Sequence, residues 1–244
     1  DMKIHGTAKG GALSKKDSGV AFGGDDSDTT YETDFSSHGD WSDNQTNVFI
    51  DTDNDMLEFD LTNNNTDEFM NLNLGSNVSD TKWVLRYELV FSTLNANSQD
   101  NNNTLSIGFY STSDPSGALV PSGDALRYCT YVNAGFSNIL DSVNGGVQTK
   151  TDENNNPFSL STSTATIFYV EIKRVSASSL EQRVYSTSDY STTQVGTTLS
   201  RATSSAVQGT SYLTVQLFTQ GLISAGYTGY IQNLKFWDGV NTPP

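Results

Sequence analysis

Apolar and polar residues alternate with period two along much of the chain, and no stretch carries the three-to-four-residue recurrence of an amphipathic helix. Alternation is clearest in TKWVLRYELVFST, residues 81–93. Trp83, Leu85, Tyr87, Leu89 and Phe91 fall on one face of that strand, and Lys82, Val84, Arg86, Glu88 and Val90 fall on the other. In residues 164–177, Phe168, Val170 and Ile172 oppose Tyr169, Glu171 and Lys173; in 211–219, Leu213, Val215 and Leu217 oppose Tyr212, Thr214 and Gln216. DMLEFDLTN (55–63), TLSIGFYST (104–112), LRYCTYVNAG (126–135), LEQRVYSTS (180–188) and GYIQNLKFWDG (229–239) complete the set of expected strands. In the last of these, Ile231, Asn233, Lys235 and Trp237 alternate against Gln232, Leu234, Phe236 and Asp238, so the face with Leu234 and Phe236 is expected to anchor in the core. The turn clusters TNNNTD, NANSQDNNN, SDPSG, VNGG and DENNNP separate the runs; Asn, Asp and Gly reach positive φ or form side-chain turns. Short strands, each with one apolar face, predict an all-β fold of two antiparallel sheets packed face to face.

Composition narrows this to one large sandwich. The chain has 244 residues, a length that a single all-β domain fills. Residues 1–24 differ from the rest: they hold Lys3, Lys9, Lys15 and Lys16, six glycines and almost no apolar periodicity. They read as a basic, Gly-rich N-terminal arm ahead of a sandwich domain at 25–244, with the Asp1-Met2 start marking a processing or cloning junction. The formal charge is −15, which repels nucleic acid and anionic membranes and favours cations and neutral ligands. A lone cysteine, Cys129, excludes an intramolecular disulfide and a cysteine-rich zinc cluster, and its place in a strand-like run reads as a buried thiol. No apolar stretch approaches the ~18–20 residues of a membrane span, and no secretory signal is visible.

The order TDFSSHGDW, DTDNDMLEFDL, DTKWVLRYELVFST, FYVEIKRVSAS, YSTSDYS and GYIQNLKFWDG resembles the concanavalin A-like (laminin-G-like) jelly-roll superfamily, over roughly residues 31–240. Within it the chain is similar to uncharacterised modules of marine archaeal and viral type, and KIHGTAKGGALSKKDSGVAFGG is similar to leaders of virus-like structural proteins. The resemblance implies curved sheets with the first and last strands adjacent. It also implies a structural calcium where those strands meet, and the matching positions are Asp34 and Asp238. Laminarinase-type glycosidases of the superfamily carry E-x-D-x-x-E or E-x-D-x-E on one strand. Here Glu58 and Asp60 share a face, but Thr62 and Asn63 stand where the second glutamate belongs, so a solvent-facing acidic strand is preferred to a catalytic one.

Other chemistries find little support. The two histidines, His5 and His38, lack metal-ligand or triad spacing, and no phosphate-binding glycine motif follows a strand. Asp51, Asp53 and Asp55 resemble the opening of an EF-hand loop but lack its glycine, because Met56 stands there; a solvated loop is expected. Sugar binding needs an aromatic platform and hydrogen-bonding side chains. The best candidates are Arg86, Glu88, Tyr110, Tyr131 and Asn133, on strands expected to be neighbours, while Trp41, Trp83 and Trp237 are expected to pack. The leading expectation is a noncatalytic, lectin-like, calcium-stabilised module that binds a glycan at an extracellular or virion surface. The alternatives are an assembly protein that forms homo-oligomers through its arm and, third, an atypical polysaccharide-degrading enzyme.

Overall fold

A computed structural model describes residues 29–62, 66–94, 103–116, 120–132, 136–150, 167–203, 205–219 and 227–243. The expected N-terminal arm, 1–24, lies outside them, as does Asn133. The strands are β1 (Tyr31–Thr33), β2 (Val48–Asp51), β3 (Met56–Asp60), β4 (Asp67–Asn73), β5 (Trp83–Leu94), β6 (Asn103–Tyr110), β7 (Ala125–Val132), β8 (Phe136–Asn144), β9 (Val147–Lys150), β10 (Ile167–Ser176), β11 (Ser179–Tyr185), β12 (Leu199–Ala202), β13 (Tyr212–Phe218) and β14 (Tyr227–Asp238). They form two antiparallel sheets and no helix among the described residues. Sheet A runs β12-β11-β10-β5-β14-β3-β2 with β1 also on β14, and sheet B runs β4-β13-β6-β7-β8-β9.

The alternating residues fill the space between the sheets as their pattern requires. Leu85, Leu89, Phe91, Phe168, Val170 and Ile172 from sheet A meet Leu105, Ile107, Phe109, Leu213, Val215 and Leu217 from sheet B in one buried cluster. Phe109 joins the layers: its ring centroid lies 4.7 Å from that of Trp83 and 4.7 Å from that of Phe236. Burying such rings is the main favourable term in a chain of modest apolar content.

Strand β14 is the centre of sheet A. One edge pairs with β5 from Tyr227 to Asp238; the other pairs first with β3 (Thr228 to Ile231) and then with β1 (Leu234 to Phe236). The partner changes at a β-bulge between Gln232 and Lys235, where Asn233 has φ 49°. The bulge corrects the strict alternation expected for 229–239. One extra residue shifts the phase by one, so Ile231 enters the core beside Leu234 and Phe236 instead of facing away from them. The hydrophobic pattern is satisfied on both sides of the bulge only because it is there.

Candidate functional site

The outer face of sheet A carries a groove of ≈ 480 Å³ over β2, β3 and β14, within the size range of small-ligand sites. Its centre is one cross-strand row. Phe49 on β2 pairs with Glu58 on β3, and Glu58 pairs with Tyr230 on β14, so a carboxyl stands between two half-buried aromatic rings. Asp60 lies one row along β3, opposite Thr228. Thr228 shares a 2.5 Å hydroxyl hydrogen bond with Thr93 of β5. Gly229 forms part of the floor, and the backbones close in there: a Cβ at this position would sit 2.0 Å from the Val90 carbonyl oxygen and 2.7 Å from Cζ of Phe59.

Glu58 in the groove and Asp51 beside it are pushed in opposite directions. Burial raises the Glu58 pKa, and the nearby negative charge of Asp51 adds to the rise. Asp51 is lowered, chiefly by the Asn54 side-chain amide, which donates to its Oδ2 at 2.7 Å; the Asp53 and Asn54 amide N–H groups donate to its Oδ1. These bonds close the β2–β3 turn, which is the solvated-loop reading of DTDND. Glu58 and Asp60 stand on one strand two residues apart, ~7 Å by the strand rise. They lie side by side and do not face each other across a bond.

The four expected ligand residues that are described are not brought together. Arg86 and Glu88 lie on β5 in sheet A, whereas Tyr110 and Tyr131 lie on β6 and β7 in sheet B, because the chain changes sheet between β5 and β6. Since the apolar residues between them point inward, Arg86 and Tyr110 sit on opposite outer faces of the sandwich. Tyr110 is fully buried, with its hydroxyl bonded to Ser106 at 2.9 Å and donating to Gln216 at 3.4 Å, so it offers nothing to a ligand. Arg86 is committed to Glu171 at 2.7 Å and lies 4.5 Å from the Tyr190 ring centroid and 5.6 Å from that of Trp237. Glu88 stands between Tyr169 of β10 and Gln232 of β14.

Asp34 and Asp238 are likewise separated. They flank opposite ends of the β1–β14 ladder, with Asp34 at the level of Asn233, about 16 Å from Asp238 along the strand. One ion cannot take both. Asp34 Oδ1 instead accepts from the backbone N–H and hydroxyl of Ser36 in a turn, and Asp238 Oδ1 accepts from the Ser79 N–H at 2.8 Å. Burial raises the Asp238 pKa. Asp238 borders a second cleft of only ≈ 60 Å³, too small for a sugar ring. No group of three or more His, Cys, Asp or Glu residues is placed to hold a metal ion among the described residues.

The sequence reading missed Phe49 and Tyr230. Tyr230 belongs to a strand that was expected, but unbroken alternation puts it on the face of Leu234 and Phe236, and only the bulge between Gln232 and Lys235 turns it outward. Phe49 sits on a four-residue strand too short to announce itself. It also missed the buried polar cluster on the outer face of sheet B. There Arg127 Nε and Nη2 donate to Asp141 at 2.8 and 3.1 Å, and Gln148 Nε2 donates to Asp141 Oδ2 at 2.5 Å. Burial works against the Arg127 charge, but Asp141, with Cys129 and Tyr110, holds its pKa well above the ordinary value. Cys129 is buried, as expected of its position, with Sγ 4.0 Å from Asp141 Oδ2. Arg127 is 1 % exposed and Asp141 is fully buried, so this cluster is closed to ligands.

No family model matches the chain, and no curated protein matches it in sequence. Solved structures do. A GH43 protein from Bacillus licheniformis superposes with TM-score 0.53 at 9 % identity, over 85 % of this chain and 39 % of that one. The CBM2 module of the evolved Dit of Lactobacillus casei BL23 phage J-1 gives 0.52 at 10 % identity, over 88 % and 97 %. Lectin I of Ulex europaeus, in complex with the methyl glycoside of α-L-fucose, gives 0.52 at 10 % identity, over 84 % and 95 %. The chain thus spans about two fifths of the GH43 protein and nearly all of the other two. Identities this low speak for architecture alone, and the architecture of this chain is the concanavalin A-like jelly roll.

Proposed function

We propose that this chain is a noncatalytic carbohydrate-binding module whose ligand lies in the groove over β2, β3 and β14. The observation that carries the reading is the row Phe49–Glu58–Tyr230, an acid flanked by two aromatic rings on an open sheet face. Ring faces accept the apolar face of a pyranose, and Glu58, Asp60 and Thr228 supply partners for its hydroxyls. The shared architecture with a plant lectin and a carbohydrate-binding module supports the reading without assigning a ligand. Absence of cleavage is part of the proposal, because Thr62 and Asn63 stand where the second glutamate of a strand-borne catalytic pair would be.

A glycan array probed in calcium and again in EDTA, with product analysis on every hit, tests this reading and decides whether the calcium implied by the resemblance belongs to it. Binding without released product is expected, with Tyr230→Ala and Phe49→Ala each weakening it about tenfold or more, as loss of a central aromatic contact does. Binding that survives both substitutions would move the site off this groove. Released product would make the chain an enzyme.

A further inference from the structure

Charge in the groove is one-sided. Glu58 and Asp60 project from neighbouring outward positions of β3, Asp51 lies within hydrogen-bonding reach of Glu58, and among the described residues no lysine or arginine lines the groove. Two cations stand beyond its end in the register: Lys235 on β14, between Glu32 of β1 and Arg86 of β5, and Arg86 itself, which is held by Glu171 and stacked on Tyr190. The rings beside Glu58 add a second attraction for positive charge, because an aromatic face is electronegative. An anionic sugar placed here would meet two or three carboxylates at close range, with no cation among the described lining residues to offset them. An ammonium would meet a carboxylate between two ring faces.

Taking the groove as the glycan site, as argued above, we propose that it selects amino sugars with a free ammonium group over neutral N-acetylated sugars, and rejects uronate and sulfated chains. Glu58 is the ammonium's partner, Asp60 faces the next hydroxyl or ammonium along β3, and Phe49 and Tyr230 hold the ring. A bound ammonium also favours the charged form of Glu58, against the effect of burial and Asp51.

The test titrates the full chain with three oligosaccharides of equal length: a de-N-acetylated hexosamine oligomer, its fully N-acetylated counterpart and a uronic-acid oligomer. The cationic oligomer should bind about tenfold or more tightly than the acetylated one, and the uronate should not bind. General attraction to a chain of charge −15 is separated by comparing Glu58→Gln with Asp114→Asn, an exposed acid that follows β6 of sheet B; each removes one negative charge. Loss of the preference in Glu58→Gln alone supports the proposal, and equal loss in both variants overturns it. Acetylated sugar bound as tightly as the amine, and weakened by Tyr230→Ala, overturns the selectivity while leaving the glycan site standing. Silence toward all three oligomers and across the array overturns both.

Discussion

Tyr190 illustrates how a single residue commits the outer face of sheet A. It has φ 52°, a left-handed backbone that costs a bulky side chain energy and persists only when its surroundings demand it. Its ring lies against Tyr169 and Tyr185 at 5.9 and 5.8 Å and caps the Arg86 guanidinium. Asp189, the preceding residue, holds the turn: Oδ1 accepts from the Ser191 N–H and the Thr187 hydroxyl, and Oδ2 from the Thr192 hydroxyl. Those bonds favour the carboxylate and lower its pKa from 3.8 to about 2. Because the folded value lies below the unfolded one, this contribution to stability is complete above the ordinary carboxylate range and is lost as pH falls through about 2. Asp189→Asn should therefore lower Tm at neutral pH and flatten its fall between pH 4 and pH 2, read by thermal unfolding followed by circular dichroism. An unchanged slope would show that the turn does not depend on the charge. Arg86 was legible in the sequence as an outward residue. Its capture by Tyr190 was not, because Tyr190 lies nineteen residues beyond Glu171, the β10 partner of Arg86, in a turn with no periodicity to signal it.

At the scale of elements, what could be read depended on length and on which face was apolar. Strands β5, β10, β13 and β14 were visible because each alternates over seven residues or more. Strands β2, β9 and β12 have four residues each, and the β8 sequence FSNILDSVN is polar on much of both faces, so their hydrophobic signal is slight. The pattern of β8 makes sense once its partner is known: its outward Asp141 is there for Arg127 of β7, directly across the ladder. The pair is bidentate and completely buried. Breaking such a pair from one side strands a charge, whereas replacing both partners with apolar groups does not. Asp141→Ala should cost about 3–5 kcal/mol in urea unfolding. The double variant Arg127→Met with Asp141→Leu should recover most of that loss. Equal damage in the single and the double variant would mean that packing, and not the stranded guanidinium, sets the cost.

The whole molecule is organised around β14. Among the described residues it is the only strand of sheet A that joins the β12-β11-β10-β5 half to β3, β2 and β1. The adjacency of the first and last strands was implied by the resemblance to the jelly-roll superfamily, and β1 does pair with β14. The central position of β14 and its change of partner at Asn233 were not legible, because alternation reports which face a residue takes and is silent about which strand lies beside it. The consequence is a fold built from contacts between distant parts of the chain: β1 meets β14 about two hundred residues away. Such topologies fold slowly, since a large loop must close before its contacts reward it. Without β14, sheet A would divide between β5 and β3. Leu57, Phe59, Leu85 and Phe91 would then lose the layer that Tyr227, Ile231, Leu234 and Phe236 complete in the same core cluster. A chain ending at residue 226 should thus show no cooperative thermal transition and no near-ultraviolet circular dichroism from Trp41 and Trp83, and it should be cut rapidly by protease. A native-like spectrum from that shortened chain would mean that the two halves of the sheet hold each other through sheet B, and the central place given to β14 would have to be abandoned.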